Sequence, residues 1–146
     1  SFLLCFQRSS MIITDIITGF PGETDEDHRK TISLLNELSP DLVNVTRFSP
    51  RKGTPASRYK RINGRIVKKR SRELTILRKK LGAKSFRRFV GRKTSVLTVE
   101  NQKRGSTLCR DDNYRPIILT EELPLGEFYD VEIIDSGYGF MTAVLV

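Results

Sequence analysis

Thr14 to Thr24, reading TDIITGFPGET, is a strand that runs into a glycine-punctuated turn and then into the start of a helix. Met11 to Ile17 is apolar on consecutive positions and rich in isoleucine, which is the pattern of a strand buried on both faces of a parallel sheet. Gly19, Pro21 and Gly22 break that strand. Thr24 is a predicted N-cap and Asp27 its capping-box partner, while Glu23, Asp25 and Glu26 complement the positive end of the helix dipole. The helix is expected to reach Leu38, with Thr31, Leu35 and Leu38 facing inward and Pro40 beyond its end. Leu42 to Phe48 reads as a second strand, which completes a β-α-β unit with parallel strands.

Working outward, Ser49 to Ala56 carries two prolines and a glycine and forms a loop at the C-terminal end of the second strand. The GFPGET loop lies at the same end of the first strand. Ligands of α/β sheets and barrels gather at that end, so both loops are expected to face one site. Gly19 and Gly22 allow a backbone to approach a ligand closely, and a helix N-terminus follows whose N–H groups can meet an anion. The same residues also suit a plain strand-to-helix turn with a good cap. An isolated β-α-β unit cannot cover its own sheet, because its edges and apolar faces want neighbours that this sequence does not contain.

The chain has 146 residues with net charge +9, enough for one ordinary domain or two small ones. Nineteen of its 26 Lys and Arg lie between Arg47 and Lys93, where Glu73 is the single acid. This basic belt favours contact with phosphates over a merely solvated connector. Ile66, Leu74, Leu77 and Leu81 form the apolar stripe of a helix over Asn63 to Leu81, which Gly82 is expected to end; a second short helix is expected over Ala83 to Phe89. Two cysteines, Cys5 and Cys109, make neither a disulfide framework nor a zinc site, and no metal site is predicted. SFLLCF at the start supports neither a signal peptide nor a membrane span, so a cytoplasmic location is expected.

Beyond Arg92 the sequence alternates in short strands: Ser95 to Val99, Gly105 to Arg110, Arg115 to Leu119, Phe128 to Ile134 and Phe140 to Val146. Five such strands suggest a small closed barrel, with Phe128, Phe140 and Val144 assigned to its core. Exposed aromatics that stack on bases and cations that hold a backbone are the useful groups for RNA, and Tyr114, Arg115, Lys103 and Arg104 fall in or near turns. Tyr114 is equally readable as a packing residue at the barrel edge. His28 is expected at the surface, and no catalytic residue is proposed.

TDIITGFPGET over Thr14 to Thr24, followed by RFSPRKGTPA over Arg47 to Ala56, resembles the radical-SAM methylthiotransferases. In that family the matching segments form the fifth strand of the radical-SAM barrel with its loop, and the stretch after the sixth strand. Thr18, Phe48 and Lys52 depart from the usual residues. The Tyr114-Arg115-Pro116-Ile117 run, Leu125-Gly126 and Val131 to Ile134 resemble the TRAM domain, an OB-like RNA-binding module. The resemblance begins at Met11 and excludes residues 1–10.

The resemblance implies α/β plus all-β architecture: a non-family N-terminus (1–10), a partial β/α barrel fragment (11–56), a basic helical connector (57–91) and a TRAM β-barrel (92–146). Gly19, Phe20, Pro21, Gly22 and Glu23 would line the S-adenosylmethionine side, with Arg51 and Thr54 near the rim. Lys68, Lys69 and Arg70 would contact RNA with Lys103, Arg104, Tyr114 and Arg115. The intact enzymes use S-adenosylmethionine and 4Fe-4S clusters to methylthiolate tRNA, and the archaeal and eukaryotic branch, which acts on threonylcarbamoyladenosine, is the nearest in wording. Its cysteine triplet has no match here, so the expectation is the C-terminal part of an enzyme, binding tRNA, carrying no cofactor by itself and completed by a missing N-terminal half. The alternatives are a non-catalytic RNA-binding module and a remnant without function.

Overall fold

The computed structural model describes residues 11–102 and 105–146, and the chain divides into two compact units. Residues 13–81 make one unit. The other comprises residues 82–146, with Met11 and Ile12.

In the first unit, β1 (Ile13–Thr18) and β2 (Leu42–Arg47) pair in parallel, from Ile13 opposite Leu42 to Thr18 opposite Arg47. The helix between them, α1 (Asp25–Leu38), starts on Thr24. Thr24 Oγ1 accepts the Asp27 N–H at 3.1 Å, and Asp27 Oδ2 accepts the Thr24 N–H at 2.9 Å, so the capping box forms as the sequence predicts. Ser39 ends α1 in the left-handed region, its N–H donating to the Leu35 carbonyl at 2.9 Å. Leu35, Val43, Leu74 and Leu81 form the core, flanked by Ile16, Ile32, Val45 and Leu77.

Four expectations change here. β1 is not buried on both faces: Ile13 and Ile17 are 53% and 60% exposed, because strand residues alternate and only the Ile16 side meets α1 and the core. His28 is buried and hydrogen-bonds through Nε2 to Glu73 Oε2 at 2.8 Å, drawn in by a carboxylate 45 residues away. The basic segment is one helix, α2 (Gly64–Arg87), uninterrupted at Gly82. Glycine costs a helix roughly 1 kcal/mol, and burial of Leu81 in one core and Phe86 in the other outweighs that. Ile66 is exposed, and Val67 takes the inward position next to it.

The second unit is a closed barrel of β3 (Lys93–Gln102), β4 (Ser106–Arg110), β5 (Pro116–Leu119), β6 (Phe128–Ser136) and β7 (Met141–Leu145). The order is β3-β4-β5-β7-β6, closing back onto β3; β5 and β7 run parallel and every other pair is antiparallel. Val96, Cys109, Ile117, Leu119, Val131, Ile133, Met141 and Ala143 fill the interior, and Phe86 and Phe89 pack with them. Two buried threonines pin the loop before β6. Thr98 Oγ1 donates to the Pro124 carbonyl at 2.7 Å and accepts the Glu127 N–H at 3.1 Å; Thr107 Oγ1 donates to the Glu121 carbonyl at 2.9 Å and accepts the Leu123 N–H at 3.0 Å.

The predicted barrel strands are present, but Phe128, Phe140 and Val144 are not core residues. Alternation fixes which residues share a face without saying which face turns inward. On β6 the inward set is Val131 and Ile133, and on β7 it is Met141 and Ala143, so Phe128 and Val144 have the opposite parity.

Candidate functional site

Three features of the two units carry chemistry: the paired loops at the ends of β1 and β2, one face of α2, and the turn between β4 and β5.

The loop after β1 is tied closely to its own surroundings. Gly19 is buried with φ +81°, and its N–H donates to the Glu23 carboxylate. Arg70, on α2, reaches the same loop: its Nη1 lies 3.1 Å from Glu23 Oε2 and 3.0 Å from the Glu23 carbonyl, and its Nη2 lies 2.7 Å from Asp25 Oδ1. The hydrogen bond from Arg70 holds the Asp25 carboxyl below its usual range, and Asp25 in turn raises the Arg70 pKa. Thr24 likewise lowers Asp27 by bonding its carboxylate through the backbone N–H and the hydroxyl. The start of α1 thus carries its own capping box, with Asp25, Glu26 and Asp27 in its first turn.

The two loops do meet. Phe20 and Phe48 pack edge to face with ring centroids 5.0 Å apart, and the Phe48 N–H donates to the Thr18 carbonyl at 2.8 Å. Beside them lies a shallow pocket of about 470 Å³, lined by Ile17, Arg47, Phe48, Arg51 and Thr54 among others. Thr54 Oγ1 donates to the Arg51 carbonyl at 2.8 Å, which sets the second loop. Of the predicted cofactor residues, Arg51 and Thr54 line this pocket, Phe20 abuts its Phe48, Pro21 is half-buried, Gly22 is exposed and Glu23 is committed to Arg70.

On α2 the Lys68-Lys69-Arg70 run separates. Lys68 and Lys69 are exposed and line a second shallow pocket with Arg65 and Arg72. Arg70 is 5% exposed and faces the GFPGET loop instead. Positions 65, 68, 69 and 72 follow the i, i+3, i+4, i+7 spacing of one helix face, a signal present in the sequence that finds Arg65 and Arg72 and sets Arg70 apart. No acid lies between positions 65 and 72 in the sequence, so four cations stand close together on this face, with Asp25 near Lys69.

In the barrel unit, Arg115 is buried: its Nη1 lies 3.0 Å from Asp111 Oδ2 and its guanidinium lies 4.2 Å from the Phe89 ring centre. Tyr114 is 72% exposed, which rules out the packing alternative. Lys103 and Arg104 lie outside the described residues.

The described residues do not fit an iron–sulfur cluster. Cluster ligands are thiolates, and of the two cysteines in the sequence Cys109 is buried in the barrel, where desolvation pushes its thiol up to about 11. Cys5 lies outside the described residues. Among the described residues no group of three or more His, Cys, Asp or Glu could hold a metal ion, and no helix is long and apolar enough to cross a membrane.

No protein-family model matches the chain. A protein of Archaeoglobus fulgidus is 45% identical over 135 residues, 92% of this chain and 31% of its own length, and is named "Probable threonylcarbamoyladenosine tRNA methylthiotransferase". One from Pyrococcus horikoshii with the same name is 36% identical over 91% of this chain and 31% of its own length. The Xenopus laevis protein named threonylcarbamoyladenosine tRNA methylthiotransferase is 32% identical over 89% of this chain and 23% of its length. The chain belongs to this methylthiotransferase family. It spans less than a third of the length of the curated relatives it matches. The family match covers both units, so the paired loops, the cationic face and the barrel belong to one continuous stretch of related sequence.

Proposed function

We propose that this chain is the tRNA-holding, C-terminal portion of a methylthiotransferase acting on threonylcarbamoyladenosine. In this reading β1, α1 and β2 are the last part of a radical-SAM β/α barrel, α2 is a basic connector, and the five-stranded barrel is an OB-like TRAM domain. The barrel reading is supported by parallel β1 and β2 with α1 on one face and exposed Ile13 and Ile17 on the other, the face that in a β/α barrel turns to the packed interior. The OB-like reading is supported by five strands closed in the order β3-β4-β5-β7-β6.

The observation that carries the RNA role is the face formed by Arg65, Lys68, Lys69 and Arg72. Such a face neutralises successive phosphates and releases their counterions, whatever the base sequence. S-adenosylmethionine, when bound to the whole enzyme, supplies a radical and a methyl group. The share of this chain's residues is to shape one wall: Phe20 and Phe48 offer apolar ring surface, while Arg51 and Thr54 offer polar groups at the pocket rim. The iron–sulfur clusters belong, in this reading, to cysteines of the N-terminal half, and the location is the cytoplasm.

Titration of the purified chain against unmodified tRNA at several salt concentrations tests the reading. Binding that weakens steeply and log-linearly with salt supports it; no binding at low salt overturns it. A stand-alone RNA-binding module is the second reading, favoured by the cationic face of α2 and the exposed Tyr114, which need no cofactor. Restoration of methylthiolation when the chain is joined to the N-terminal half of the Archaeoglobus fulgidus relative would exclude it.

A further inference from the structure

Tyr114 is one of two non-glycine residues with positive φ among the described residues, at +62°. A bulky aromatic is disfavoured there, whereas Asn and Asp tolerate the region. Folding does not explain the choice, since the ring is 72% exposed and buries little apolar surface. The surrounding turn nevertheless holds it firmly. The Tyr114 N–H donates to the Asp111 carbonyl at 2.8 Å, and Asp111 Oδ1 accepts the N–H groups of Asn113 at 3.0 Å and Arg115 at 2.8 Å. Asp111 is itself fixed by buried Arg115.

Arg110 completes the arrangement. Its Nη1 donates to the Tyr114 carbonyl at 3.0 Å while its guanidinium lies 4.6 Å from the ring centre. One side of the ring is thus occupied by a cation that is also bonded to the backbone, and most of the remaining ring surface faces solvent. A planar aromatic group that stacks on the open side meets a ring whose orientation is already set, so little conformational entropy is lost on contact.

We infer that Tyr114, backed by Arg110, is a stacking platform for one unpaired nucleobase. The inference rests on the RNA reading above, which supplies the polyanionic partner, and adds a base contact that the cationic helix face does not provide. Arg110 serves twice, polarising the ring from behind and offering its remaining N–H groups to a neighbouring phosphate.

The test uses the full chain and a single-stranded RNA carrying 2-aminopurine at one position, whose fluorescence is quenched on stacking. Tyr114→Asn suits the left-handed backbone, so the fold is expected to melt at the same temperature or higher. Its RNA affinity is expected to fall about tenfold with loss of the quench, within the range for one stacked base, and with an unchanged salt slope. Tyr114→Phe should retain both binding and quench. Equal affinity and quench in wild type and Tyr114→Asn would overturn the platform while leaving the phosphate contacts standing. An affinity loss accompanied by a flatter salt slope would also overturn it, because the ring would then act through phosphate-holding groups. Absence of any RNA binding by the wild type would overturn the platform together with the RNA reading.

Discussion

Arg70 Nη1 lies 3.1 Å from Glu23 Oε2, and the two side chains are 6% and 14% exposed although 47 residues separate them in sequence. The guanidinium therefore acts as a clamp on the GFPGET loop, bridging the Glu23 carboxylate, the Glu23 carbonyl and Asp25. A planar fork with several fixed donors suits that task in a way a lysine ammonium does not.

Arg70→Met should destabilise the first unit by roughly 3 kcal/mol, since it leaves the nearly buried Glu23 carboxylate without its cation. The exposed Asp25 arm adds little to that figure because water screens it. Urea unfolding checks the magnitude, and the double variant Arg70→Met/Glu23→Gln should recover part of the loss. A single variant as stable as wild type would show that the clamp contributes nothing to folding.

Gly19→Ala should be worse than Gly22→Ala. Both residues sit at positive φ, +81° and +91°, so both substitutions incur backbone strain of about 1–2 kcal/mol. At Gly19 the new Cβ would also lie 2.7 Å from Val67 Cγ1 and 2.8 Å from Cγ2, whereas at Gly22 nothing lies within 4 Å. Valine is stiff about χ1 and cannot swing away, so overpacking adds about another 1–3 kcal/mol. Thermal melts of the two variants, and of Gly19→Ala combined with Val67→Ala, separate the clash from the strain; equal melting of the two single variants would refute the close approach.

The capping box makes an acid-side prediction. Asp27 has its carboxyl lowered below the ordinary 3.8 in the folded chain, so its contribution to stability is present above that value and is lost as pH falls through the lower folded value. The stability gap between wild type and Asp27→Ala should therefore be largest near neutrality and shrink below about pH 4. Paired denaturant titrations at pH 7 and pH 3 measure it. A gap that widens toward acid would contradict the assignment.

Replacing Arg65, Lys68, Lys69 and Arg72 together by glutamine should weaken tRNA binding and lower the salt slope by about 3, at nearly one phosphate per cation, without changing the melting temperature. Arg70→Gln should do the reverse, costing stability first. If the quadruple variant binds with unchanged slope, the face is solvated only.

The β-α-β unit was legible because its signals are local: Thr24 and Asp27 are three residues apart, and Pro40 follows the end of α1. The barrel strands were legible from alternation and turn residues. What escaped the sequence depended on distant partners. His28 looked like a surface residue because Glu73 supplies its contact from another helix, and Arg70 looked like its lysine neighbours because nothing nearby in sequence marks Glu23 as its target. Gly82 looked like a stop because local propensity is blind to the buried residues on both sides of it. Phe128 and Val144 were misassigned because a two-residue period carries no sign for inside and outside. For the site, the loops and the cations could be read, but the division of labour within Lys68-Lys69-Arg70 needed the helix phase and the position of the loop.

The outward row of Ile13 and Ile17 has a practical consequence for anyone handling this chain. Neither strand of the parallel pair has a further strand neighbour among the described residues, and β1 adds apolar side chains that face outward at Ile13 and Ile17. Such a surface recruits strands from other molecules. Shelf life and recovery from expression should then fall with protein concentration, and the +9 charge, through mutual repulsion at low ionic strength, becomes the main safeguard of the chain against clumping.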